Sequence, residues 1–127
     1  MELYPFLKSI VDTDCCPVVV CNIEHEILYM NPAAKKRYAG QSGKSLIGSS
    51  LLACHNEASG KKIREVVDWF CQDPDHTVIY TYHNEKENKD VYMVALRDET
   101  GSLIGYYEKH EYRSPETMAL YQGLCGG

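Results

Sequence analysis

The apolar positions of the chain change period several times, and each change marks an element. Leu3, Phe6, Leu7, Ile10 and Val11 recur at helical spacing and predict an amphipathic opening helix over residues 1–13. Residues 17–21, Pro-Val-Val-Val-Cys, are a β-branched run that reads as a buried strand. A tight connection at 22–25 leads into 26–30, where Ile27 and Tyr29 alternate with their neighbours as a second strand, completing an antiparallel hairpin. There the period switches. Asn31 suits an N-cap because its side-chain oxygen can accept an orphan amide hydrogen bond, Pro32 suits the first helical position, and Ala33-Ala34-Lys35-Lys36-Arg37 favours helix.

Gly40 to Gly43 breaks the pattern, and the short apolar stretch 45–53 predicts a helical turn or two. A longer helix is predicted over 59–71, with Ile63, Val66, Val67 and Phe70 on one stripe and Trp69 off its edge, ended by Asp73-Pro74-Asp75. Three strands follow at 76–83, 90–96 and 102–110, joined by a charged turn at 84–89 and by Asp98-Glu99-Thr100-Gly101. The middle one is apolar on both sides, with Val91, Met93 and Ala95 on one and Tyr92, Val94 and Leu96 on the other. Both faces therefore need cover. The middle helices can cover one face; the opening helix or a second copy of the chain is the candidate for the other. Ser114-Pro115-Glu116 reads as a helix start with Met118, Tyr121 and Leu124 on one face, giving a short C-terminal helix or tail over 114–127.

Composition narrows the class. The 127 residues, 44% hydrophobic and 24% charged, imply one ordinary globular domain. A net charge of −5 with scattered Lys and Arg argues against nucleic acid as a partner. No apolar run approaches the roughly 20 residues that span a bilayer. The start MELYPFLKSIVD lacks the basic and apolar regions of a secretion signal, so no membrane partner and a cytoplasmic location are expected. The six cysteines are then expected as reduced thiols.

The order strand, strand, helices and three antiparallel strands resembles the PAS sensory domain. Two stretches carry the resemblance. PVVVCNIEHEILYMNPAAKKRY is similar to that family's opening hairpin with an Asn-Pro-Ala helix start, and VYMVALRDETGSLIGYYE to its last hairpin with an Arg-Asp-x-x-Gly turn. The likeness covers 14–113. It implies an α+β fold, a five-stranded antiparallel sheet with helices packed over one face, flanked here by N- and C-terminal helices. LIGSSLLACHNEASGKKIREVVDWF further resembles a bacterial PAS subgroup with Cys-His-(Asn/Pro) before the long helix. Two departures stand out. Asn22-Ile23-Glu24-His25 replaces the usual Asp-x-x-Gly turn. The last strand ends Lys109-His110-Glu111-Tyr112-Arg113 in place of the Asp-Ile-Thr that commonly couples such domains to an effector, so a separate signalling protein is the expected recipient of any output.

The resemblance implies non-catalytic recognition of a small ligand, transmitted by altered association of a homodimer. The candidate ligand-binding residues are Tyr29, Asn31, Tyr38, Cys54, His55, Trp69, Tyr80, Tyr82 and Met93. Tyr80 and Tyr82 are expected on one strand face, and Tyr29 and Tyr38 bracket the Asn31 helix. Such aromatics either line a mixed pocket or serve as ordinary core or dimer packing. Cys54-His55 has three readings: a thiolate favoured by the following helix N-terminus, a haem ligand through either residue, or a buried thiol beside a histidine that holds the loop through a carbonyl. A filled structural interaction module is the remaining class. Enzyme chemistry is not expected. Cys54 lacks a nucleophile motif, Cys15-Cys16 is not a Cys-x-x-Cys pair, and His76, His83 and His110 show no metal-ligand spacing. Gly40-Gln41-Ser42-Gly43-Lys44 lacks the phosphate-loop spacing.

Overall fold

A computed structural model describes residues 2–39 and 46–124, without the side chain of Cys54; the glycine break at 40–43 lies outside the described residues. Helix α1 (Tyr4–Asp12) is followed by β1 (Val18–Asn22), β2 (Ile27–Met30) and α2 (Pro32–Arg37). A 3₁₀ turn (Leu52–Cys54) precedes α3 (Glu57–Gln72), and β3 (Val78–Asn84), β4 (Lys89–Arg97) and β5 (Leu103–Tyr112) complete the regular structure of the described residues. The strands form one sheet in the order β2-β1-β5-β4-β3, every neighbouring pair antiparallel. This is the expected α+β arrangement, with α3 over one face.

Asn31 explains how the first half is fastened. Its Oδ1 accepts from the amides of Ala34 and Val18, both at 2.9 Å, while its Nδ2 donates to the carbonyls of Val11 and Cys16, both at 3.0 Å. One fully buried carboxamide thus caps α2, starts β1 and holds the end of α1. Helix α3 starts two residues earlier than its sequence pattern indicates, because Asn56 is the cap and accepts from the Ser59 amide at 2.8 Å. Its stripe of Ile63, Val66, Val67 and Phe70 packs on Val19, Cys21, Ile27, Met93 and Tyr106 of the sheet. Arg97 closes the far end: Nη2 donates to the Phe70 carbonyl at 2.8 Å and the His76 carbonyl at 3.2 Å, and Nη1 to the Gly101 carbonyl at 3.2 Å. The β4–β5 turn is thereby tied to carbonyls that a helix C-terminus leaves without intrahelical partners.

Gly105 of β5 is a close-approach position. A Cβ there would lie 2.1 Å from the Cys21 carbonyl oxygen on β1, closer than two strands with side chains at that point can come.

Three expectations need correction. No regular element follows β5 among the described residues: 114–124 is irregular, and Met118, Tyr121 and Leu124 are exposed. A short amphipathic face without a surface to dock on does not offset the cost of helix formation. Second, the register shifts between Tyr80 and Tyr82, which places Tyr80 opposite Tyr92 and Tyr82 opposite Val91. The irregularity at Thr81 thus puts the two tyrosines on opposite faces, where strict alternation would have left them together. Third, α1 covers only the β1–β2 end of the outer face, where Leu7, Lys8 and Val11 approach Val20, Leu28 and Tyr29. Leu3, Phe6 and Ile10 remain exposed, as do Val78, Tyr80 and Ile104 on the outer side of β3 and β5. Among the described residues no helix is long and apolar enough to cross a membrane.

Candidate functional site

Alternation along β5 turns Tyr106, Glu108 and His110 toward the helices. Above Tyr106 lies a cavity of about 120 Å³ with mostly aliphatic walls: Val19, Ile27 and Met30 from the sheet, Leu46 and Leu51 from the segment before α3. Beside it a cleft of about 330 Å³ runs between Ser59, Lys62 and Ile63 of α3 and Thr81, Tyr82, Val91 and Met93 of the sheet. Tyr38, His55 and Glu108 line both spaces and stand at their junction.

The floor of the cleft is polar, which is unusual for the inner face of a sheet. His110 is buried, its Nε2 2.9 Å from Glu108 Oε1, and its Nδ1 has no hydrogen-bond partner among the described residues. Leaving such a nitrogen unsatisfied costs on the order of 1–3 kcal/mol. Burial works to raise the Glu108 carboxyl, but the His110 hydrogen bond and the charges of His110, His55 and Lys89 outweigh it and leave the group below its ordinary value. Lys89, with a side chain only 2% exposed, has its ammonium 3.5 Å from Glu87 Oε2 and 5.8 Å from the centre of the Tyr112 ring. Glu87 is already engaged by both Nη atoms of Arg37, at 2.8 and 2.9 Å, and that hydrogen bonding is the main reason its carboxyl falls to about 2. Burial pushes the phenols of Tyr38 and Tyr106 upward, so both stay protonated near neutrality. The Tyr106 hydroxyl lies 2.8 Å from His25 Nδ1.

His55 has its Nδ1 2.8 Å from the Leu51 carbonyl. A carbonyl only accepts, so Nδ1 carries a proton here, and in the neutral imidazole the lone pair is on Nε2.

Of the residues the sequence singles out, the structure brings together Tyr38, His55, Tyr82 and Met93 around the cleft. Tyr29 instead faces α1 and donates to Asp12, and Asn31 is consumed by backbone bonds. Trp69 stacks on His76 with ring centres 3.9 Å apart, outside the cavity. Tyr80 lies on the outer face, 5.3 Å from Tyr92 between ring centres, its hydroxyl 2.6 Å from Asp90 Oδ1. The Cys54 side chain lies outside the described residues. Sequence reasoning missed Glu108, His110 and Lys89. The available signal was the period-2 placement of Glu108 and His110 with Tyr106 on one face, a pattern hidden by treating 109–113 as the end of a strand.

Asp14, Cys15 and Cys16 can bring ligand atoms within 4.8 Å of one another. Burial is the main cause that pushes the Cys16 thiol up to about 11, so near neutrality it is protonated and a poor metal ligand.

Strand order and helix placement together define the architecture of PAS domains, and solved structures bear this out at the level of fold. The PAS domain of Bordetella pertussis BvgS superposes with a TM-score of 0.62 at 14% identity, over 91% of this chain and 89% of that one. A PAS domain from Colwellia psychrerythraea gives a TM-score of 0.64 at 14% identity, covering 87% of this chain and 97% of that one. The Aer2 receptor of Vibrio cholerae, described as a dual PAS-heme oxygen sensor, gives 0.56 at 16% identity over 77% and 94% respectively. No protein-family sequence profile matches the chain, and no curated protein matches it by sequence. The likeness is one of fold.

Proposed function

We propose that this chain is a non-catalytic PAS-type sensory module that binds a small ligand between α3 and the inner sheet face and reports occupancy through altered association. The observation that carries the reading is His110: a buried imidazole with one nitrogen unpartnered among the described residues, in a polar row beside an open aliphatic cavity. A side chain that served packing alone would have that nitrogen satisfied or replaced by carbon. An occupant that favours one placement of Tyr38 and α2 shifts the population of that placement, and Asn31 carries the shift to α1. The exposed apolar side chains of α1 and of the outer sheet face supply a surface for a second copy of the chain or a separate signalling protein. The unbridged Cys15, Cys16 and Cys71 fit a reducing, cytoplasmic setting. Native mass spectrometry of the purified chain tests the reading, because it reports bound mass and subunit number together. Dimers carrying a small molecule are expected; a bare monomer at every concentration, unresponsive to any small molecule, overturns it.

A haem-binding reading is favoured by one observation. In the neutral imidazole the Leu51 contact leaves the Nε2 lone pair of His55 at the junction of cavity and cleft, the form that would hold a haem iron. Haem held there by His55 would supply gas or redox sensing. Titration of the purified chain with hemin tests it: a Soret shift lost in His55→Ala supports haem, and no shift removes it.

A further inference from the structure

We infer that the ligand is a small carboxylate with a compact apolar body, its head held by Lys89 and His110 and its body in the aliphatic cavity. This rests on the small-ligand reading above and adds the chemistry of the ligand.

Charge in the cleft runs against charge in the chain. The protein carries a net −5, yet among the described residues Arg37, Lys62 and Lys89 line the cleft against one carboxylate, Glu108. Three of these four have a close partner: Arg37 holds Glu87, Lys62 donates to the Thr81 carbonyl, and Glu108 faces His110. Lys89 is the exception. Its 3.5 Å ion pair is longer than the roughly 2.7–2.9 Å of a charge-assisted hydrogen bond, although an ammonium offers three donors. A buried cation in that position is completed by an anion.

His110 supplies the second contact. In the β4–β5 ladder Lys89 is opposite Tyr112 and Val91 opposite His110, so Lys89 and His110 are diagonal neighbours on one face. Diagonal side chains start about 7–8 Å apart, a gap that a carboxylate with a donor on each oxygen can bridge. One oxygen accepts from the Lys89 ammonium. The other accepts from Nδ1–H once His110 takes up a proton together with the carboxylate, its Nε2–H donating to Glu108.

The size of the body follows from the cavity. About 120 Å³ walled by Val19, Ile27, Met30 and Leu51 compares with the roughly 150 Å³ apolar cavity known to take benzene in another protein. Benzoate is therefore the first probe, with hexanoate as its linear counterpart. Benzamide and benzylamine keep the ring and change the charge.

Thermal shift and titration calorimetry on the full chain separate the possibilities. Benzoate or hexanoate is expected to bind saturably and raise the melting temperature, with benzamide and benzylamine at least about tenfold weaker. Lys89→Met is expected to abolish the benzoate response while leaving the unliganded melting temperature equal or higher, since it removes a buried charge whose partner Glu87 keeps Arg37. Should that variant fail to fold, the wild-type ratio of benzoate to benzamide decides. Benzylamine binding tighter than benzoate makes Glu108 the receptor and overturns the inference alone. Equal binding of benzamide, or a copurified ligand that is neutral or cationic, does the same. No response to any probe, with no copurified mass, overturns the sensory reading beneath it.

Discussion

Two of the three hairpin turns among the described residues, β1–β2 and β4–β5, are built on the same hydrogen-bond skeleton and used differently. Between β1 and β2, Asn22 Oδ1 accepts from the amides of Glu24 and Glu26, both at 3.0 Å. Between β4 and β5, Asp98 Oδ1 accepts from the amides of Thr100 and Ser102 at 2.9 and 3.1 Å. In each the fourth residue returns its amide to the first residue's carbonyl at 3.0 Å and takes a positive φ, 68° at His25 and 90° at Gly101. Glycine meets that conformation without cost; histidine pays of order 1–3 kcal/mol in backbone strain. What offsets the strain at His25 is its ring, hydrogen-bonded to the buried Tyr106 hydroxyl beside the cavity. One turn closes a hairpin. The other closes a hairpin and orients a side chain against the wall of the candidate site.

The largest expected effect lies where the two hairpins meet. Gly105 is paired with Asn22 on one side and Leu96 on the other, and Gly105→Ala would drive a methyl into the Cys21 carbonyl. A loss above about 3 kcal/mol, or failure to fold, is expected in urea denaturation; a near-neutral result would show that β1 and β5 separate freely there. Next, Gly101→Val is expected to lose about 1–3 kcal/mol from its positive φ, whereas His25→Gly should change stability by less than about 1 kcal/mol, relief of strain countering the lost Tyr106 bond. Equal losses in the two variants would break the comparison.

Acid sharpens the contrast. Burial first, and then the charge of Arg64, hold the His25 imidazole below its ordinary 6.5. The unfolded chain then takes up its proton first, so this residue's contribution is full above pH 6.5 and declines as pH falls toward the depressed folded value. The melting temperature of His25→Gly should lack that slope. The smallest effect is expected at Asp98, whose carboxyl is lowered from 3.8 chiefly by the Thr100 hydroxyl. Its contribution holds above pH 3.8 and fades below it, and Asp98→Asn, which keeps an acceptor, should remove only that limb of the melting curve.

Local chemistry makes most of the architecture readable from the sequence alone. The Asn31-Pro32 start, the stripe from Ile63 to Phe70 and the alternation of Val91 and Met93 are short-range patterns, and each element lies within two residues of where they place it. Long-range pairing carried the rest. Nothing near Thr81 announces the shift that separates Tyr80 from Tyr82, because it exists only relative to β4. The apolar face of Met118, Tyr121 and Leu124 looked helical only in the absence of information about what it would dock against. In the candidate site Tyr38 and His55 were visible as punctuation around α2 and α3. Glu108, His110 and Lys89 became a group only once β4 and β5 were laid side by side.

Asn31 has a mechanical consequence. A single carboxamide grips the final turn of α1 and the first turn of α2, so neither helix can rotate while the other stays still unless one of those bonds is given up. The amide acts as a hinge pin between the chamber and the rim of the domain. On the proposed sensory reading, displacing Tyr38 at the chamber end of α2 would load that pin, and the strain would emerge along α1, where Leu3, Phe6 and Ile10 are exposed.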